Sequence, residues 1–264
     1  MLSGNNQKVK YLRRMANRRF REREGKFFIE GARFVEEAIA SSFHVEMLVF
    51  CGNGGGSGLY PALEEKAAAK GVPCFEIENR LFSELADTVT PQGVIAVAGR
   101  RWERLADLKT TVSWLLVLAD GVKDPGNLGT IVRSADAAGA DGVILLKGTA
   151  DIFNPKALRA TMGSIFHIPV IQNVSVAQTR DFLKDQGIKL IAGTPGRGQA
   201  IYNCDLTGSI ALLAGGEAVG PQAKTLAAAE EYAQIPMPGK AESLNVAVSA
   251  GIMLYEAVRQ RNAF

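Results

Sequence analysis

The sequence predicts two α/β domains in tandem, each a sheet flanked by helices. Three observations predict this. Short apolar runs of strand length alternate with amphipathic stretches of helical length along all 264 residues. Runs such as Leu115-Leu116-Val117-Leu118 are apolar at every position, as parallel strands covered on both faces are. The stretch 99–112 is charged and lacks a strong apolar period, which marks it as a linker between domains 1–98 and 113–264.

In the first domain, residues 6–22 read as one basic helix, with Val9, Leu12, Met15 or Ala16, and Phe20 near helical spacing. A strand over Lys26–Glu30 follows, then a helix over Ala32–Ser41 with Phe34, Val35, Ala38 and Ile39 inward, and a strand over Val45–Phe50. The run Gly52–Gly58 is a loop tip. It lacks the Lys-Ser or Lys-Thr that ends a phosphate-binding loop. A helix (Pro61–Lys70), a strand (Val72–Glu76), a helix (Asn79–Thr88) and a strand (Val94–Ala98) complete the unit.

In the second domain, strands are expected at Trp114–Ala119, Gly142–Leu146, His167–Ile171, Lys189–Gly193, Ile210–Ala214 and Ala233–Ile235. Helices are expected at Asn127–Ala138, Pro155–Met162, Val176–Gln186, Pro221–Ala229 and Ser243–Arg261. These patterns alone indicate a Rossmann-like doubly wound sheet.

Composition excludes several classes. Apolar residues make up 47% and charged residues 22%, as in an ordinary globular chain. No apolar run approaches the roughly 20 residues of a membrane helix, and the basic N-terminus does not read as a signal peptide. A cytoplasmic protein with no membrane partner is expected. Cys51, Cys74 and Cys204 are scattered and odd in number, and His44 and His167 are the two histidines, so neither a disulfide framework nor a metal site is expected. The formal charge of +3 is unevenly spread. Residues 1–26 carry nine basic against two acidic side chains, a net of +7 that leaves −4 for the rest. Such a block favours phosphate backbones through counterion release, although a solvated helix face has the same composition.

Three segments combine glycine or proline with polar groups after a strand, where open α/β sheets collect their ligands. The first, from Asp120 to Ala135, contains Asn127, Gly129 and Arg133, with Asn127 suited to an N-cap. The second is Gly215-Gly216-Glu217, whose glycines would let a ligand lie against the backbone. The third runs from Ile235-Pro236-Met237 to Ser243-Leu244-Asn245 at the start of the last helix, with Ser243 placed to cap it. A turn with a surface arginine or glutamate accounts for each motif alone. It does not account for all three in this order. No G-x-G-x-x-G follows the first strand of either half, which argues against a nucleotide-dependent dehydrogenase.

In order and spacing these motifs closely resemble the signature motifs of the SpoU (TrmH-like) RNA ribose 2′-O-methyltransferases, over about residues 113–264. The departures are Gly216, where a small polar residue or alanine is usual, and Ala218-Val219, which replaces a pair that often contains glycine. Lys26 to Arg33 and Thr90 to Ala96 resemble, more loosely, the opening and closing segments of the L30e/L7Ae-like substrate-binding domain often joined to that family.

The resemblance implies a C-terminal SPOUT α/β-knot domain with a trefoil knot in place of the Rossmann-like order, and a homodimer. It also implies S-adenosylmethionine as methyl donor, bound by Thr194, Pro195, Gly196, Gly215, Glu217, Ile235, Met237 and Leu244. Catalytic roles fall to Arg133, Asn127, Glu217, Ser243 and Asn245. Arginine is awkward as a base because its pKa exceeds about 12, so gripping phosphate and stabilising the developing oxyanion suits Arg133 better. The acceptor is a 2′-hydroxyl, so the partner is RNA. Ribosomal RNA is preferred to transfer RNA, by analogy with the fused first domain. Lys10, Arg13, Arg14, Arg18, Arg19, Arg21 and Arg33 are the expected RNA contacts. A non-catalytic RNA-binding protein with this fold is the rival reading.

Overall fold

The structure, a computed structural model, describes residues 2, 4, 6–52, 60–88, 90–109, 112–216 and 220–262, and of Arg18 the backbone. The chain forms two compact units, residues 1–101 and 102–264. The segment expected as a linker is divided between them. Gly99 ends a strand of the first unit, whereas Leu108 is buried in the core of the second and Glu103 accepts the Val170 amide at 2.8 Å.

In the first unit, helices α1 (Gln7–Met15) and α2 (Arg18–Glu24) precede strand β1 (Lys26–Glu30), α3 (Ala32–Ala40), β2 (Val45–Cys51), α4 (Pro61–Ala69), β3 (Cys74–Ile77), α5 (Asn79–Leu85) and β4 (Val94–Gly99). The expected single helix over 6–22 is two helices. The side chain of Asn17 caps the second by accepting the Phe20 amide at 3.3 Å, so local capping outweighs a continuous apolar stripe. Gly25 at φ 62° ends α2 in the left-handed conformation that glycine adopts without strain. The sheet order is β1-β4-β2-β3, antiparallel except for the β2–β3 pair. Val9, Leu12 and Met15 of α1 and Leu81, Phe82 and Leu85 of α5 join Met47, Val49, Ile95 and Val97 in one core.

In the second unit, strands β5 (Leu115–Asp120), β6 (Gly142–Leu146), β7 (Val170–Val174), β8 (Lys189–Gly193), β9 (Gln199–Ala200), β10 (Ile210–Gly215) and β11 (Glu231–Gln234) form one sheet. Its helices are α6 (Pro125–Ala137), α7 (Pro155–Thr161), α8 (Val176–Asp185), α9 (Ala223–Leu226) and α10 (Val246–Arg261). Every strand pairing in it is parallel. The strands β5, β6 and β10 are buried along nearly their whole length because both faces are covered. On one face Leu116, Leu118, Ile144, Leu190 and Leu213 pack with Leu183 of α8; α6 and α10 lie against the other.

The strand order, β7-β6-β5-β10-β8-β11-β9, overturns the Rossmann-like expectation. In a doubly wound sheet the chain crosses from the third strand to the place beside the first. Here β8 crosses but stands one place further out, and β10 later fills the position between β5 and β8. Smaller differences concern lengths. The expected helix over Pro221–Ala229 is reduced to α9, and the strand expected at His167–Ile171 is β7, three residues later.

Candidate active site

Parallel pairing brings the carboxyl ends of β5, β8, β10 and β11 to one edge of the second unit. A cavity of about 570 Å³ opens there. Its walls come from Gly193, Thr194 and Pro195 after β8, Leu213 to Gly216 with Gly220 and Pro221 around the end of β10, Ile235 and Met237 after β11, and Ser243 to Val246 before α10. Leu226, Ala233, Ser249, Ala250 and Met253 complete it. None of these described residues is charged. The lining is apolar with a few hydroxyl and amide groups, as in a pocket for a nucleoside-sized ligand.

Of the residues expected to hold the methyl donor, Thr194, Pro195, Gly215, Ile235, Met237 and Leu244 line this cavity, as do Ser243 and Asn245. Gly196 does not. It is exposed, at φ 66°, with open space where a Cβ would stand. Glu217 lies outside the described residues. The glycines of the second motif, both in the cavity wall, also meet close packing from the chain itself. A Cβ on Gly215 would stand 2.2 Å from the Pro221 ring, and one on Gly216 would stand 2.3 Å from the Gly121 oxygen. They allow the chain to fold closely on itself. Gly129 acts likewise, because a Cβ there would meet the Ala157 oxygen at 2.2 Å, where α6 crosses α7.

Both expected helix caps are corrected. Helix α6 begins two residues earlier than expected, with Asp124 as its cap. The Asp124 carboxylate accepts the Asn127 amide at 2.9 Å and pairs with Lys156 at 2.6 Å. The Lys156 hydrogen bond holds this carboxyl below the usual carboxylate range, helped by the Asn127 amide. Asn127 is therefore inside the first turn. Helix α10 is capped by Asn245, not Ser243. Its side-chain oxygen accepts from Ala247 and Val248, and its amide donates to the Asn127 oxygen at 3.0 Å. Further along, Ser134 Oγ lies 3.9 Å from where a Cβ on Gly251 would stand, so α6 and α10 run side by side in the same direction. Arg133 is on the exposed side of α6, outside the cavity wall, and forms no hydrogen bond or ion pair with the described residues.

Sequence reasoning missed Asp120, which ends β5 with no solvent exposure. Its carboxylate accepts the Gln222 backbone amide at 2.8 Å and the Gln222 side-chain amide at 2.7 Å. A strand-terminal aspartate before glycine reads as a turn residue, so no local signal marked it.

In the first unit, Lys10, Arg14, Arg19 and Arg33 are exposed. Arg14 also lies 4.3 Å over the Phe20 ring, and Arg33 is 3.5 Å from Glu37. Arg13 is exposed but paired with Glu84 at 2.9 Å. Arg21 is removed from the expected RNA-facing set. It is 7% exposed, and its guanidinium donates to the Met15 and Ala16 oxygens, fastening the α1–α2 turn. The Arg18 side chain lies outside the described residues. Among the described residues no cluster of His, Cys, Asp and Glu could hold a metal ion, and no helix is long and apolar enough to cross a membrane.

A parallel sheet with a cavity at its carboxyl edge, lined among the described residues by uncharged groups, defines an α/β protein with a site for a nucleoside-sized ligand. The SpoU rRNA Methylase family matches residues 114–255, and the MRM3-like substrate binding domain matches residues 6–96. The chain belongs to the SpoU rRNA methylase family, and it is an S-adenosylmethionine-dependent RNA ribose 2′-O-methyltransferase. It is 38% identical to the 23S rRNA (guanosine(2553)-2′-O)-methyltransferase RlmP of Bacillus subtilis, over 96% of each chain. It superimposes with a TM-score of 0.87 on the AdoMet-bound rRNA methyltransferase of Sinorhizobium meliloti, at 32% identity over 98% of this chain and 97% of that one. The AdoMet complex of the SpoU methyltransferase AviRb from Streptomyces viridochromogenes matches equally well, with a TM-score of 0.87 at 30% identity over 97% of this chain and 98% of that one.

Proposed function

We propose that the chain methylates a ribose 2′-hydroxyl of large-subunit ribosomal RNA in the cytoplasm, working as a homodimer with its second unit threaded as a trefoil knot. The observation that carries the RNA assignment is the likeness to RlmP, which extends over both units and not the catalytic one alone. The exposed Lys10, Arg14, Arg19 and Arg33 of the first unit supply a phosphate-binding surface that fits the same reading. The knot is supported by β10 lying between β5 and β8. Dimerisation is supported by α10, where Val248 and Tyr255, seven residues apart, expose large apolar side chains on one face.

The cavity fits the methyl donor. Its volume suits a nucleoside with an amino-acid tail, Ile235 and Leu244 offer apolar packing for a base, and backbone groups of Gly193 to Pro195 border it. When bound, the donor supplies an electrophilic methyl group on a sulfonium. The protein must place the ribose oxygen in line and stabilise it as its proton leaves. Arg133 stands on the solvent side, where an RNA strand arrives. Its planar fork grips the neighbouring phosphate and stabilises negative charge on the attacking oxygen. The Asn127–Asn245 pair fixes the first turns of α6 and α10, and with them Ser243 in the cavity wall. Glu217 orients Arg133 or the ribose.

Labelled methyl donor, purified chain and separate pools of ribosomal and transfer RNA test this. Label is expected in ribosomal RNA, at a position that maps as a 2′-O-methyl nucleotide. Label confined to transfer RNA would overturn the substrate assignment. No label in either pool would favour the RNA-binding rival.

A further inference from the structure

Asp120 alone among the described carboxylates has no solvent exposure. Taking a carboxylate out of water costs several kcal/mol unless hydrogen bonds compensate. The five strand residues before it are apolar and buried, so the sheet itself does not call for a charge there. The compensation comes from one segment. Gln222 gives the carboxylate both its backbone and its side-chain N–H. The Asp120 main-chain oxygen accepts the Gly216 amide at 2.9 Å, and Gly216 in turn accepts the Gly220 amide at 2.9 Å. Gly216 and Gln222 flank the segment that carries Glu217. Its two ends are thus drawn together at a neck, and three of the four hydrogen bonds that make the neck end on Asp120.

The neck also shapes the cavity. Gly215, Gly216, Gly220 and Pro221 all line it, whereas Asp120 and Gln222 do not. Gly215 stands opposite Asp120 in the β10–β5 register, and the Pro221 ring fills the space beside Gly215. A carboxylate is the natural partner for two converging N–H donors because it only accepts.

We propose that Asp120, through Gln222 and Gly216, is a positioning residue for the methyl donor. It holds the neck so that Gly215, Gly216, Gly220 and Pro221 form a ready-made wall of the donor cavity. The inference rests on this cavity being the donor site. Asp120 and Gln222 themselves stand outside the cavity lining.

Calorimetric titration of the full-length chain with S-adenosylmethionine tests it, combined with amide exchange and binding to ribosomal RNA. In Asp120→Ala, donor Kd is expected to rise about tenfold or more, equivalent to the loss of about 1.4 kcal/mol. Exchange at Gly216 and Gln222 should quicken while RNA affinity holds. Asp120→Asn should stay within about threefold of the parent. Its oxygen accepts the Gln222 backbone amide, and its NH₂ donates to the Gln222 side chain once that amide turns over. A merely structural role would instead weaken donor and RNA binding together, quicken exchange across the whole sheet, and show no rescue by asparagine. That result, or an unchanged donor Kd in Asp120→Ala, overturns the proposal. Should Asp120→Ala not fold, Gln222→Ala removes one neck bond alone, and an unchanged donor Kd there overturns it equally. A parent chain that binds no donor would overturn the donor-site reading itself, while exchange at Gly216 and Gln222 would still report the hold of Asp120.

Discussion

The side-chain amide of Asn245 donates to the Asn127 side-chain oxygen at 3.0 Å, joining two motifs 118 residues apart in the chain. The same Asn245 caps α10 with its oxygen. One side chain therefore does two separable things: it satisfies the first amides of a 16-residue helix, and it ties that helix to the first turn of α6.

The two roles separate by substitution. Asn245→Asp keeps an acceptor for Ala247 and Val248 but faces the Asn127 oxygen with a second acceptor. Asn245→Ala loses both interactions. The alanine variant should lose about 1 kcal/mol of stability through the missing cap. The aspartate variant should keep its melting temperature within about 2 °C yet lose methyl transfer roughly tenfold. Thermal unfolding and label transfer on the same preparations check this. A fully active aspartate variant would make the tie irrelevant to turnover.

Arg133 is exposed and makes no hydrogen bond or ion pair with the described residues, so it contributes little to folding. Arg133→Lys should unfold within about 0.5 kcal/mol of the parent and bind S-adenosylmethionine unchanged. Its turnover should nevertheless fall by about a hundredfold, because an ammonium cannot reproduce the planar fork. Near-normal turnover in the lysine variant, measured under donor and RNA saturation, would remove Arg133 from the chemistry.

How much of this was legible in the sequence depends on the range of the interactions involved. Buried strands such as Leu115 to Ala119 were readable because burial on both faces writes itself into every residue. The break between α1 and α2 was obscured because Val9, Leu12, Met15 and Phe20 keep an apolar stripe across it. The signal that decides the break is the single Asn17 cap. Ser243 and Asn245 are both good capping residues two positions apart, and only the contact with Asn127 shows which is used. The order of β5, β10 and β8 is set by non-local pairing that no local pattern encodes. Asp120 was hidden for the same reason, since its partner Gln222 is 102 residues away.

The Asp124–Lys156 pair gives the first turn of α6 a pH dependence. Its folded pKa lies below the unfolded value of about 3.9, so the pair stabilises the fold above that value and its contribution fades as pH falls through the folded pKa. Both partners are part-exposed, and solvent screening keeps the effect under about 1 kcal/mol. Asparagine caps helices as well as aspartate does, so Asp124→Asn should lose the pH-dependent part alone. Urea midpoints should differ between parent and variant at neutral pH and converge in acid. A gap that widens in acid would contradict the assignment.

Gly129 is required by the crossing of α6 and α7 rather than by a ligand. A methyl group there would stand 2.2 Å from the Ala157 backbone oxygen and 2.6 Å from the Ala160 Cβ, and neither can rotate away. Gly129→Ala should therefore cost about 1–3 kcal/mol through overpacking, despite alanine's better helix propensity. In Gly251→Ala, by contrast, the added methyl would meet only Ser134 Oγ at 3.9 Å, an ordinary contact, so helix propensity should dominate and leave stability equal or higher. Urea unfolding of the two variants side by side isolates the cause. If both are destabilised alike, helix interior alone explains the loss. If Gly129→Ala alone falls, the third residue of the Asn127-Leu128-Gly129 motif is a packing residue, and its place in the signature reports how closely α7 must approach the helix that carries Arg133.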